Sequence, residues 1–117
     1  MEGQKITLYI GLNDKDTKKQ KIRTGKALKV INKILLQYVD GATVYLSNGI
    51  YKHINGQQTL ERSVVVILYD TTQDIINKII MTLCKTLNQE AILQENATVK
   101  TYYKYGTDAN IEGMEVQ

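Results

Sequence analysis

Glu61-Arg62-Ser63-Val64-Val65-Val66-Ile67-Leu68-Tyr69-Asp70 is the stretch around which this chain is organised. Its apolar run is unbroken from Val64 to Tyr69 and opens on three consecutive valines. β-branched side chains fit a pleated surface better than a helical one. A short continuous run, as opposed to an alternating one, indicates a strand in the middle of a sheet or covered on both faces. Glu61 and Arg62 stand at its entrance.

The rest of the chain supplies partners for that strand. Lys5 to Leu12 alternates Ile6, Leu8 and Ile10 with Thr7 and Tyr9, the period of a half-buried strand. Asn13 to Lys18 is a polar loop. Thr24 is the expected N-cap of a helix reaching about Val39, with Ala27, Leu28, Ile31, Leu35 and Tyr38 as its apolar stripe. Asp40-Gly41 is expected to close it through a left-handed glycine. Ala42 to Leu46 is a second strand. Asn48-Gly49 and Asn55-Gly56 both read as tight turns, so a decorated hairpin is expected to join it to the central strand.

Thr71 or Thr72 then caps a second helix, Gln73 to about Asn88, striped by Ile75, Ile76, Ile79, Ile80, Leu83 and Leu87. Ala91 to Tyr105 is the last extended region, with an expected interruption at Asn96. Strand, helix, strand, strand, helix, strand predicts an α+β sandwich of the ferredoxin-like βαββαβ type. Right-handed crossovers put the first and central strands in the middle of the antiparallel sheet, with both helices on one face. Residues 1–105 form one expected domain, and 106–117 an acidic, flexible tail.

Composition narrows the function classes. The single cysteine, Cys84, rules out an internal disulfide and fits a reducing compartment; among apolar neighbours it is expected to be a buried, inert thiol. No apolar stretch has the length of a signal peptide core or a membrane span, so a cytoplasmic protein without a membrane partner is expected. Net charge is +3, but it is unevenly spread. Lys15 to Lys33 holds eight bases and one acid, Asp16, whereas Gly106 to Gln117 holds Asp108, Glu112 and Glu115 and no base. A basic flank of this kind favours an anionic partner.

Five short motifs, in order and spacing, resemble a family of small bacterial domains of unknown function. They are Leu8-Tyr9-Ile10-Gly11-Leu12, Asp40-Gly41-Ala42-Thr43-Val44, Gly49-Ile50-Tyr51, Glu61-Arg62-Ser63 and Gln89-Glu90-Ala91-Ile92-Leu93. The family pattern is L-Y-x-G-L, D-G-x-T-V, G-x-W/Y, E-R-S and Q-E-x-V-L, and here Tyr51 replaces the usual Trp. The segment Thr7 to Lys18 also looks like small proteins of phages and mobile elements of low-GC Gram-positive bacteria. The resemblance implies a fold and a mobile-element setting, but no reaction.

Catalytic signatures are absent from the sequence. His53 is the single histidine and has no cysteine or paired carboxylate nearby, which disfavours a metal site. Neither a nucleophile elbow nor a phosphate-binding glycine loop occurs. Neighbouring strand residues point to opposite faces, so Glu61 and Arg62 are not expected to pair. A guanidinium on a sheet face suits phosphate or carboxylate, and Tyr102, Tyr103 and Tyr105 interleave with Lys100 and Lys104 in a way that suits base stacking.

The expectation is therefore a non-catalytic protein without a cofactor, binding or sequestering an anionic, nucleotide-type ligand, as a counter-defence sponge would. Tyr9, Asn13, Lys15, Lys18, Lys19, Arg62 and Tyr103 are its expected ligand-binding residues. The alternative is an interaction module or inhibitor whose basic segment docks on an acidic protein or nucleic acid. A homodimer is expected from the open sheet face.

Overall fold

The computed structural model describes residues 2–100. The elements run β1 (Glu2–Gly11), α1 (Thr24–Tyr38), β2 (Thr43–Lys52), β3 (Gln58–Tyr69), α2 (Gln73–Thr86) and β4 (Leu93–Lys100). The strands form one antiparallel sheet in the order β2-β3-β1-β4. This is the expected α+β arrangement, with β1 and the valine-rich β3 in the centre. The tail, together with Tyr102, Tyr103, Lys104 and Tyr105, lies outside the described residues.

Alternation assigns the sheet faces. Ile6, Leu8 and Ile10 of β1 and Val64, Val66 and Leu68 of β3 share one buried cluster with Ala27, Ile31, Ile34 and Leu35 of α1 and Ile76, Ile79 and Leu83 of α2. Both helices therefore cover the same face. Burying each such aliphatic side chain is worth roughly 1.5–3 kcal/mol before entropy is set against it. The other face carries Thr7, Tyr9 and Gly11 beside Ser63, Val65 and Ile67. Val65 is nonetheless only 2% exposed, with Tyr9 and Tyr45 as its cross-strand neighbours. No helix among the described residues is long and apolar enough to cross a membrane.

Several boundaries depart from expectation. β1 begins at Glu2 because Glu2, Gly3 and Gln4 pair with Lys100, Val99 and Thr98 of β4; an edge partner recruits a segment without strand propensity. Asn96 pairs with Ile6 without interrupting β4. Asn48-Gly49 is not a turn. The hairpin closes at Asn55-Gly56, where Gly56 has φ 86°, while Gly49 pairs with Glu61 inside the strands. The Tyr51 ring lies about 3.2 Å from where a Cβ on Gly49 would sit, so the glycine makes room for an aromatic side chain. At α1 the cap residue is Arg23, with no side-chain cap, and Val39 ends the helix in extended backbone. Thr72 does cap α2, accepting from the Ile75 N–H.

Candidate ligand-binding site

Where β1 ends, the chain makes a closed loop. Asn13 and Gln20 form an isolated antiparallel bridge. The Asp14 N–H donates to the Lys19 carbonyl and the Lys18 N–H to the Asp14 carbonyl, each at 2.8 Å. Lys18 takes a left-handed φ of 62° to close it. The Asp14 side chain is buried within, accepting the N–H groups of Asp16 and Thr17 at 3.0 Å. Such aspartate-centred turns replace regular secondary structure with local hydrogen bonds.

The end of α2 locks onto this loop. Asn88 adopts φ 50°, and the Gln89 N–H reaches the Cys84 carbonyl at 2.9 Å, the six-to-one bond of a Schellman terminus. The Asn88 amide donates to Asp14 Oδ1 (2.8 Å) and Asp16 Oδ2 (2.9 Å), and Gln89 Nε2 donates to the Asn13 carbonyl (2.8 Å). The bond from Asn88 foremost, then that from the Thr17 N–H, holds the Asp14 carboxyl at about 2, below its ordinary 3.8 and against the opposing effect of burial.

Glu61 is fixed next to this knot. Its Oε2 accepts the Asn13 N–H at 2.9 Å, and its carboxyl group lies over Gly11, within 2.6–2.8 Å of where a Cβ would be. The same device recurs at the other end of β1, where Asp70 covers Gly3 and accepts the Gln4 N–H at 2.8 Å. Each glycine gives a carboxylate from the β3 strand or its end a place against the β1 backbone.

Two adjoining hollows open from Glu61, of about 570 Å³ and about 430 Å³. Tyr51, Glu61, Gln89 and Ala91 line both. The larger adds Asn13, Lys15, Lys18, His53 and Glu90, and the smaller adds Tyr9, Gly11 and Ser63. His53 sits on the exposed hairpin turn, its Nε2 2.7 Å from Thr59 Oγ1. Tyr9 donates its hydroxyl to Glu95 Oε1 at 2.9 Å, and this bond raises its phenol above the ordinary value.

The expected ligand residues divide between two places. Tyr9, Asn13, Lys15 and Lys18 border the hollows, whereas Lys19 and Arg62 line a separate groove across the hairpin, which Asn13 and Lys18 also reach. Tyr103 lies outside the described residues. Glu61, Tyr51, Gln89 and Glu90 also line the hollows and are absent from the expected set. Their signal is in the sequence: a glycine ending a strand, and an acid three residues ahead of the valine run.

Two solved structures of a phage SAM lyase share this fold. One, in complex with S-methyl-5'-thioadenosine, has a TM-score of 0.57 and 22% identity, covering 81% of this chain and 80% of its own. The other, in the apo state, has a TM-score of 0.60 and 19% identity, covering 87% and 92%. A point mutant of CutA1 from Pyrococcus horikoshii has a TM-score of 0.49 and 15% identity, covering 84% and 86%. No curated protein matches the chain.

The lyase neighbours overturn the expectation of a non-catalytic protein. That expectation rested on a fold without a visible acid, base or nucleophile, and here an enzyme has the same fold. One family model matches the chain over residues 5–103, a span that includes the motifs quoted above. The chain belongs to the family described as protein of unknown function (DUF3574).

Proposed function

We propose that this chain binds an adenosyl-type, sulfur-bearing nucleoside in the hollows around Glu61 and promotes cleavage of its carbon–sulfur bond. The observation that carries this reading is the Glu61 carboxylate, held by the Asn13 N–H against Gly11 at the wall shared by both hollows. A sulfonium centre is a cation that cannot donate a hydrogen bond. A pinned carboxylate flanked by the Tyr51 and Tyr9 rings attracts it through charge and ring quadrupoles. Tyrosine faces also suit adenine, and about 570 Å³ is ample for a nucleoside. A neighbour with S-methyl-5'-thioadenosine bound supports the ligand class.

Release of S-methyl-5'-thioadenosine from S-adenosylmethionine breaks the bond between sulfur and the amino-acid γ-carbon. The bond's electron pair goes to sulfur, which leaves as a neutral thioether and needs no acid. The substrate's own carboxylate can close on the γ-carbon, giving a lactone. The protein then has to bind, orient and exclude water. Lys15, on the rim, would hold the carboxylate end.

A second copy of the chain is part of the proposal. Tyr45, Tyr51 and Leu93 are exposed on the sheet face away from the helices, and Ile50, Ile54 and Leu60 are exposed along the hairpin. Apolar exposure of this kind suits a self-association face. The test is incubation of the purified chain with S-adenosylmethionine, following S-methyl-5'-thioadenosine by mass spectrometry. Formation that needs a higher substrate concentration in Glu61→Gln supports the reading. Neither product nor binding at millimolar substrate refutes it.

A further inference from the structure

We infer a second site, for a phosphoryl oxyanion, in the groove on the helix side of the β2–β3 hairpin. It does not depend on the adenosyl reading. The groove holds about 600 Å³ and is lined by Asn13, Lys18, Lys19, Gln20, Asn48 and Arg62, among others, with no carboxylate. Strand alternation sorts the charges. Glu61 faces the adenosyl hollows, and Arg62, one residue on, faces the opposite side.

Asn48 is the direct cross-strand partner of Arg62, which sets an amide beside a guanidinium on one face. Lys18 and Lys19 arrive from the other wall on the loop that Asp14 and Asn88 lock. Among the described residues the ion pair is Lys21 with Asp14, so Lys18, Lys19 and Arg62 have no acidic partner there. Three exposed cations bordering one groove with no carboxylate in its lining repel one another, and an oxyanion relieves that repulsion. The guanidinium offers a planar fork, the lysines mobile point charges and the amides neutral donors, a set suited to several phosphate oxygens at once.

The experiment is titration of the full chain with inorganic pyrophosphate, inorganic tripolyphosphate and ATP, followed by calorimetry and by amide shifts of Lys18 and Lys19. Saturable binding is expected, weakened about tenfold or more by Arg62→Gln and unchanged by Lys29→Gln on α1. Equal affinity for tripolyphosphate and ATP identifies free polyphosphate chemistry as what is read; tighter ATP identifies a nucleotide's phosphates. No saturable binding at millimolar probe overturns the site. So does binding that Arg62→Gln leaves intact, or that Lys29→Gln on α1 weakens as much as Arg62→Gln does.

Discussion

Replacing Gly11 by alanine tests the support of Glu61 directly. Gly11 lies outside the left-handed region, so the backbone accepts alanine. The obstacle is the Glu61 carboxyl, whose Oε2, Cδ and Oε1 lie 2.6, 2.7 and 2.8 Å from the new Cβ. Because that group ends a flexible side chain, it swings aside and gives up the Asn13 N–H. Losing a hydrogen bond to a charged group costs about 1.5–3 kcal/mol. The alanine returns about 0.4–1 kcal/mol by restricting the unfolded chain. The net expectation is destabilisation by about 1–2 kcal/mol, at roughly 4–8 °C in Tm per kcal/mol. In a Glu61→Ala background nothing is left to displace, and Gly11→Ala should stabilise by about 0.4–1 kcal/mol. Urea denaturation of the four proteins gives the coupling, expected near about 2 kcal/mol. Equal destabilisation in both backgrounds would refute the reasoning, since it would mean that backbone, not Glu61, opposes the Cβ.

Three further predictions concern other parts of the fold. Asp14's folded value of about 2 lies below the ordinary 3.8, so its carboxylate stabilises the fold above about pH 4 and that contribution fades as pH falls towards about 2. Asn88→Ala should move the Asp14 titration up towards its ordinary value, as followed by carboxyl-carbon NMR; an unmoved titration contradicts the assignment of cause. Cys84 is half-buried where a buried thiol was expected; that burial pushes the thiol up, with Lys15 acting the other way, so iodoacetamide at neutral pH should alkylate it more slowly in the folded chain than in urea. Tyr45→Asp on the open sheet face should turn an oligomer into a monomer in light scattering while the monomer stays folded; a monomeric parent protein at ~100 µM would remove the basis for that face.

The fold was legible because its main determinants are periodic. The valine run places β3 in the centre, the three-and-four spacing of α2 describes its buried stripe, and right-handed crossovers do the rest. What failed was local. Asn48-Gly49 carries the composition of a turn, but Gly49 is glycine because Tyr51 lies over it, and no dipeptide rule registers a ring arriving from two residues away. Glu2 to Gln4 has no strand propensity and is extended because β4 pairs with it. Asp40-Gly41 fits a helix stop in composition, yet α1 ends at Val39 in extended backbone with no left-handed residue.

The expected ligand set and the lining of the hollows differ for a reason rooted in strand geometry. Counting charge along Lys15 to Lys33 treats a basic segment as one feature, whereas the loop and the sheet divide their charges between two faces. Glu61 and Arg62 are neighbours in sequence and belong to different hollows, so an expected set of four bases, two tyrosines and Asn13, with no acid, takes residues from both and omits the carboxylate. The search for an acid, a base and a nucleophile contains a second assumption, that the leaving group needs help. A sulfonium leaves as a neutral thioether. On the proposed reading, Glu61 with the Tyr9 and Tyr51 rings borders the hollow at Gly11, and Lys15 and Lys18 border the adjoining one. On that reading, Glu61→Gln, which keeps the shape and an acceptor for Asn13 while removing the charge, is expected to change stability by no more than about 1 kcal/mol and to weaken substrate binding about tenfold or more; unchanged affinity in this variant would show that the charge is not what the site supplies.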